Sequence, residues 1–414
     1  GLGNIWRFPY LAAKDNGGVF ILVYIILALT FGFTLLTTDI AIGRKTRQGP
    51  LTAYGLIHKK WKWLGGLAWI VPVIILPYYC TIGGWVLKYM TAYFTGQTGV
   101  VVFCGVEKGI EKFSKVLMPI LVILIIGISI YSLTIKHTGD DGTIRTGIDG
   151  LKVYLIPDFK GMTFRDIFMV VMDAMGQLFF SISVAMGIMV AYGSYVKKDV
   201  NLMKSINQIE IFDTAVAFLA GLMIVPAVYV FSGTEGMSAG PGLMFIFNAM
   251  GKVGTVIGAL FFIMVTFAAI TSSVSVMEAI VSGLMDKFHL TRKKSAVITT
   301  VYAVVGMLVV CFGYNIWYFE LKLPNGATAQ ILDVMDYLSN NIFMPLVAIL
   351  SCILIGWVVK PKTVIDEVTR NGEKFGRKKL YIVMVKFVAP ILLALLLLQS
   401  FGIDFVQFVT NLFK

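Results

Sequence analysis

The sequence predicts an all-α, multi-pass membrane protein, and three observations point to it. Of 414 residues 57% are hydrophobic and 14% charged, and mean hydropathy is +0.83, which excludes an ordinary soluble domain. Continuous apolar runs recur at the length of about 20 residues that a membrane helix needs. They lack the period-two alternation of a membrane barrel. A net charge of +12 would suggest nucleic acid as the partner of a soluble protein. Here the basic residues sit in short loops between apolar runs, so the charge marks topology, and the expected partner is the bilayer rather than nucleic acid.

In chain order, full spans are predicted near 18–43, 64–94, 113–135, 168–196, 207–233, 254–285, 294–316, 330–358 and 380–407. Two shorter apolar pieces, 1–14 and 100–104, fall far below membrane thickness. Lys and Arg cluster at 44–62, 108–115, 197–204, 287–294 and 360–379. With all five clusters cytoplasmic, the chain must cross out and back between Lys62 and Lys108. Only the short piece at 100–104 leads back, so a segment between about Gln97 and Val101 is expected to have been lost. The chain also opens on Gly1 directly in a dense motif, which suggests a missing upstream piece. The 233–253 connection carries SAGPGLMF, a stretch suited to a short helical cap. Cys80, Cys104, Cys311 and Cys352 are scattered without CxxC spacing and suit core packing.

Polar residues inside apolar helices are costly and point to function. Gly1-Leu2-Gly3-Asn4-Ile5-Trp6-Arg7-Phe8-Pro9 weakens a helix with two glycines and adds an oxygen donor and a fixed cation. An interfacial loop with a capping Asn and a snorkelling Arg is the alternative. Gly176 to Gly187 concentrates Gly176, Ser181, Ser183 and Gly187 at mid-span; a helix break and close small-residue packing both fit. Ala268 to Ser273 brings three successive hydroxyls, which suit either a hard cation or bonds back to their own helix. Asp213 and Asp336 are acids near span ends that need a cation, a proton or solvent. Gly-interrupted apolar segments at corresponding places in two halves mark the binding site of secondary transporters, and those at Gly1 and Gly176 form such a pair. The halves read as 1–135, incomplete, and 168–358, with 380–407 as an extra helix.

These residues resemble the neurotransmitter:sodium symporter family, in particular its bacterial amino-acid transporters of the LeuT-like kind. GLGNIWRFPY is the specific signature, and TLLTTDIAIGR, PYYCTIGGW, GQLFFSISVAMG, SAGPGLMF, FAAITSS and LDVMDY follow in family order. The resemblance implies an inverted five-helix repeat with broken helices 1 and 6 and about 11 spans in the parent. On that pattern the first half-helix and most of span 4 are missing here. It implies a sodium-coupled symporter that imports a neutral amino acid by alternating access, located in the cell (inner) membrane with its basic loops cytoplasmic. A LeuT-fold transporter of another substrate or cation, or a non-transporting amino-acid sensor or remnant, is the alternative. No nucleophile–base pair or phosphate loop suggests an enzyme.

By the same resemblance, backbone amides of Leu2 and Gly3 and the Tyr79 hydroxyl would hold the substrate carboxylate. Ile75, Phe180, Ser181, Ser183, Met186, Ser272 and Val276 would line the pocket. Asn4, Ser181 and Asp213 would bind one Na+, and Ala268, Thr271 and Ser272 a second. Arg7 and Asp336, with Gln177, would form the outer gate; Ser194, Tyr195 and Asp286 fall at inner-gate positions. Asp39 stands where the family usually has Glu, and Thr34 where it has Pro. Asp213 replaces the Asn of chloride-dependent members, so chloride is not expected. Met186 and Val276 describe a roomy apolar pocket for a large hydrophobic or aromatic side chain.

Overall fold

The computed structural model describes residues 3–93, 106–139, 142–236, 251–403 and 405. The expected loss near Gln97 and Val101, the 100–104 piece and the SAGPGLMF cap lie outside them. Helix dominates. In chain order it comprises α1 (Phe8–Lys14), α2 (Gly18–Thr46), α3 (Pro50–Ile57), α4 (Lys62–Tyr93), α5 (Val106–Thr134), α6 (Gly147–Leu155), α7 (Phe164–Ser181) and α8 (Ile188–Tyr195). There follow α9 (Leu202–Phe231), α10 (Gly251–Phe288), α11 (Arg292–Phe312), α12 (Ile331–Val358), α13 (Lys362–Val368) and α14 (Lys378–Ser400). Among the described residues seven helices are long and apolar enough to cross a membrane.

The helix ends follow capping chemistry. Pro9 and Pro50 sit in first turns, where the missing N–H costs nothing. Thr146 and Thr291 cap α6 and α11 through their side-chain oxygens. At the start of α12 the Asp333 carboxylate accepts from the Gln330 backbone amide at 3.0 Å. The expected span 294–316 ends at Phe312, where Gly313 and a run of turns stop the helix and leave Ile316 and Trp317 exposed. The expected 380–407 ends at Ser400, before Phe401 and Gly402 form a turn. Among the described residues two small antiparallel hairpins interrupt the all-α plan. They pair Lys136–Thr138 with Ile144–Thr146, and Leu321–Lys322 with Thr328–Ala329.

Two compact units draw on stretches throughout the sequence. The first comprises Gly1–Ile26, Ile82–Gln177 and Phe212–Val274, and the second Leu27–Thr81, Leu178–Ile211 and Ser275–Lys414. In the first, Phe8 meets Phe20 and Tyr24 edge-on, and the Tyr154 hydroxyl donates to the Phe218 carbonyl at 2.8 Å. In the second, α2 crosses α8 so closely that a Cβ on Gly43 would stand 2.0 Å from the Val190 carbonyl oxygen. Lipid offers little hydrophobic drive between helices, so such close backbone approach is what packing rests on. Wholly buried Arg44 is matched by Glu367, its Nε 2.8 Å from Oε1, and also donates to the Val200 carbonyl at 2.9 Å.

Candidate substrate and ion site

Two departures from α-helical backbone, one in each compact unit, carry many of the candidate residues. The first is the π-helical turn Gly3–Arg7, which leads into α1. A wide turn leaves carbonyls misaligned for the helix's own amides. Gln177, fully buried on α7, donates from Nε2 to the Gly3 carbonyl at 3.0 Å. Asn4 is 1% exposed and donates from Nδ2 to Asp213 Oδ1 at 2.8 Å and to the Asp213 carbonyl at 3.3 Å. Arg7 lies along α7, with Nη2 3.6 Å from where a Cβ on Gly176 would be. Hard oxygen donors beside an anionic carboxylate are what a hard monovalent cation needs. Leu2 lies outside the described residues.

The second interruption separates α7 from α8. Between Ser181 and Ile188 the backbone leaves helical space, with Ser183 at φ 53°, Ala185 at φ 58° and Gly187 at φ 74°. Two left-handed non-glycine residues so close together persist only when their surroundings hold them. Asp39 on α2 does so: its Oδ2 accepts from the Ala185 amide at 2.9 Å. Gly187 is required twice over, since a Cβ there would also stand 2.8 Å from the Pro50 ring. Phe180, Ser181 and Ser183 remain partly accessible, whereas Met186 is buried.

On α10, Ala268 is buried, while Thr271 and Ser272 are partly accessible. Thr271 Oγ1 donates to the carbonyls of Phe267 at 3.0 Å and Ala268 at 3.1 Å. Those bonds are the ones expected of a hydroxyl that bonds back to its own helix. They also commit the proton, so what the hydroxyl can offer a cation is lone pairs. Ile75 and Val276 are buried and Tyr79 is partly accessible.

The gate candidates have local partners. Asp336 accepts from Asn340, which also donates to the Tyr78 hydroxyl, itself 3.3 Å from Ser339 Oγ. Arg7 belongs to the first compact unit and Asp336 to the second. Ser194 Oγ donates to the Ala191 carbonyl, and Arg47 donates to the carbonyls of Ser194 at 3.2 Å and Val196 at 2.6 Å. Asp286 accepts from the Gly49 amide. Tyr195 donates to Glu278, whose other oxygen is 2.7 Å from Arg292. Sequence reasoning missed Glu278, an acid within an apolar run, although the rule that singled out Asp213 also finds it.

At the end of α1, Lys14 bridges two acids, 2.6 Å from Asp173 and 3.8 Å from Asp15. Asp15 sits in the turn before α2, with Oδ2 buried and without a hydrogen bond. Burial, and then the charge of Asp173, push its carboxyl up to about 7.

The family model for the Sodium:neurotransmitter symporter family matches this sequence over residues 1–99 and 97–411. The chain belongs to that family. It is therefore a transporter and not an enzyme, and its family uses sodium. An uncharacterized sodium-dependent transporter of Methanocaldococcus jannaschii is 28% identical over 445 positions, covering 95% of this chain and 85% of the relative. The human sodium- and chloride-dependent GABA transporter 2 is 24% identical, covering 89% of this chain and 71% of the relative. The crystal structure of MhsT in complex with L-phenylalanine superposes with a TM-score of 0.80 at 30% identity, covering 97% of this chain and 95% of that one. The LeuT-like fold and the multi-pass membrane character of this family member stand on these matches together with the seven apolar helices.

Proposed function

We propose that this transporter imports a neutral, large hydrophobic or aromatic amino acid with sodium by alternating access, across an inner membrane with its basic loops cytoplasmic. The observation that carries the reading is the contact of buried Asn4 with Asp213 beside the first helix break. In this reading the carboxylate of Asp213 and the oxygens of Asn4 and Ser181 hold one Na+, and the substrate carboxylate completes the shell. Ala268, Thr271 and Ser272 hold a second. Leu2, Gly3 and Tyr79 receive the substrate carboxylate, while Ile75, Phe180, Ser183, Met186 and Val276 surround its side chain. Arg7 and Asp336 close the outer gate with Gln177, and Ser194, Tyr195 and Asp286 serve the inner one. A ligand shifts a two-state equilibrium only by its differential affinity, so sodium favours the conformation in which the site is assembled. The bound L-phenylalanine of MhsT supports a roomy apolar pocket.

A fixed charge at Asp213 does locally what a bound chloride would do, so transport is chloride-independent. The two inverted halves are 1–135 and 168–358, with 380–407 as the added helix. A lost stretch near residues 97–101 is supported by the family match, which breaks at 97–99. The alignments with relatives point the same way, running over more positions than the chain has residues.

The test is uptake of labelled amino acids into proteoliposomes under an inward sodium gradient. It uses this chain and a version carrying the relatives' residues at the 97–99 break. Sodium-driven uptake of phenylalanine or leucine, equal in chloride and gluconate, is expected from the restored version. Sodium-independent uptake, uptake of another substrate class, or binding without flux would overturn the reading.

A further inference from the structure

Two π-helical turns meet where two membrane helices end. Leu354–Val358 closes α12, and Met384–Val388 follows the first six residues of α14. Their backbones approach closely: a Cβ on Gly356 would stand 3.0 Å from the Val385 carbonyl oxygen. The Trp357 indole donates to the Lys386 carbonyl at 3.1 Å, packs edge-on against Phe387, and has Lys386 Nζ 5.5 Å from its ring centre. Such turns, rare in ordinary helices, concentrate at functional sites.

A cavity of about 580 Å³ opens beside this junction, with Trp357, Lys360, Lys362, Lys378, Lys386 and Asp366 in its wall. Four lysines and one aspartate are therefore among the residues that line it. Among the described residues none of the four lysines forms an ion pair. Neighbouring arginines do: Arg377 is 2.6 Å from Glu210, Arg44 is 2.8 Å from Glu367, and Arg370 is 3.7 Å from Glu367. Glu210 and Glu367 are thus matched to arginines, and four lysines against Asp366 leave the cavity lining with a net positive charge that attracts an anion. From the cavity, Val383, Phe387 and Ile391 run along one face of α14 at 49%, 49% and 60% exposure. Spaced four apart, they form one apolar stripe. A phosphate-sized anion alone would account for the lysines but not for the stripe or for a half-exposed Trp at a span end, where interfacial aromatics sit.

We propose that this cavity binds the headgroup of an anionic phospholipid, whose acyl chains lie along the stripe of Val383, Phe387 and Ile391. The lysines hold the phosphate as mobile point charges, and Lys386 reaches it by extending from within its span. Trp357 fixes the depth of the glycerol region. The bound lipid then bridges α12, the basic connection and α14 at one membrane surface.

The experiment is native mass spectrometry of the purified protein in detergent. Phosphatidylglycerol and phosphatidylcholine of matched chains are titrated separately, and inorganic phosphate is added in a third arm. Phosphatidylglycerol is expected to bind about tenfold or more tightly than phosphatidylcholine, with about fivefold lost for each of Lys360→Gln, Lys362→Gln, Lys378→Gln and Lys386→Gln. Lys59→Gln, in another loop, leaves binding unchanged. Equal retention of the two lipids, or a preference that survives the fourfold Gln variant, overturns the proposal. Displacement of the lipid by millimolar phosphate also overturns it, in favour of a free-anion site. Should the fourfold variant not fold, phosphatidylglycerol with brominated chains reads the same contact in the otherwise native protein. Its quenching of tryptophan fluorescence should fall in Trp357→Phe, and identical quenching in that variant counts against the site.

Discussion

Gly3–Arg7 and residues 182–187 both depart from α-helical backbone at small or polar residues, yet the first stays a wide helical turn while the second leaves helical space altogether. None of residues 3–7 has a positive φ, and the displaced Gly3 carbonyl is met by a neutral amide, Gln177. The second break holds three positive-φ residues in five positions, and a buried carboxylate, Asp39, meets its Ala185 amide. Where water is absent, each freed backbone group must find a partner in the protein. At the more complete break the buried amide depends on Asp39 for its acceptor, and an amide left buried and unmatched costs about 1–3 kcal/mol.

The largest effect should come from removing the stronger partner. Asp39→Ala leaves the Ala185 amide buried and unmatched and is expected to lower stability by about 3 kcal/mol. Asp39→Asn should recover much of that, and thermal unfolding of both variants in detergent measures it. If Asp39→Ala unfolds like the parent, the second break holds itself and the comparison fails.

Next in size is a pH effect beside the first break. The Asp15 carboxyl sits at about 7 in the folded chain, above the ordinary value near 4. Between those values the folded chain keeps a proton that the unfolded chain has released. Stability is therefore fullest below about pH 4 and falls as pH rises through 7, by about 2–3 kcal/mol from pH 5 to pH 8. Unfolding midpoints across that range should slope accordingly, and Asp15→Asn should flatten the slope.

Gly187→Ala forces a Cβ into a left-handed position against Pro50 and should cost about 2 kcal/mol. The same exchange at Gly84, where a Cβ meets nothing within 4 Å, serves as the control and should not destabilise. Smallest is Gln177→Ala, which leaves one carbonyl of the wide turn without its donor at about 1 kcal/mol. A larger loss there than at Asp39 would reverse the ranking of the two breaks.

The apolar runs made most of the spans legible, because length and hydropathy are local properties of a chain in lipid. Helix ends were read less well: Gly313 and Gly402 stop their helices inside sequence that is still apolar. The hairpins were invisible, since strands of two or three residues in polar loops carry no periodicity. The second break was legible in Gly176, Ser181, Ser183 and Gly187, but what holds it was not. Asp39 lies 146 residues from Ala185, and no spacing within one sequence reveals such a contact. Lys14, Asp15 and Asp173 were hidden in the same way, as charges that read like ordinary span-end residues until folding brought them together. The lysines of 360–379 were read as a topological signal, and only the meeting of two π turns gathers part of that cluster around one cavity.

The central claim, that Asp213 with Asn4 forms a sodium site coupled to substrate, is tested most directly by the sodium dependence of labelled phenylalanine binding to purified protein. The parent and Asp213→Ala are compared, with circular dichroism confirming the fold of each. Sodium should raise affinity in the parent and no longer do so in Asp213→Ala. An undiminished sodium effect in the variant would contradict the claim.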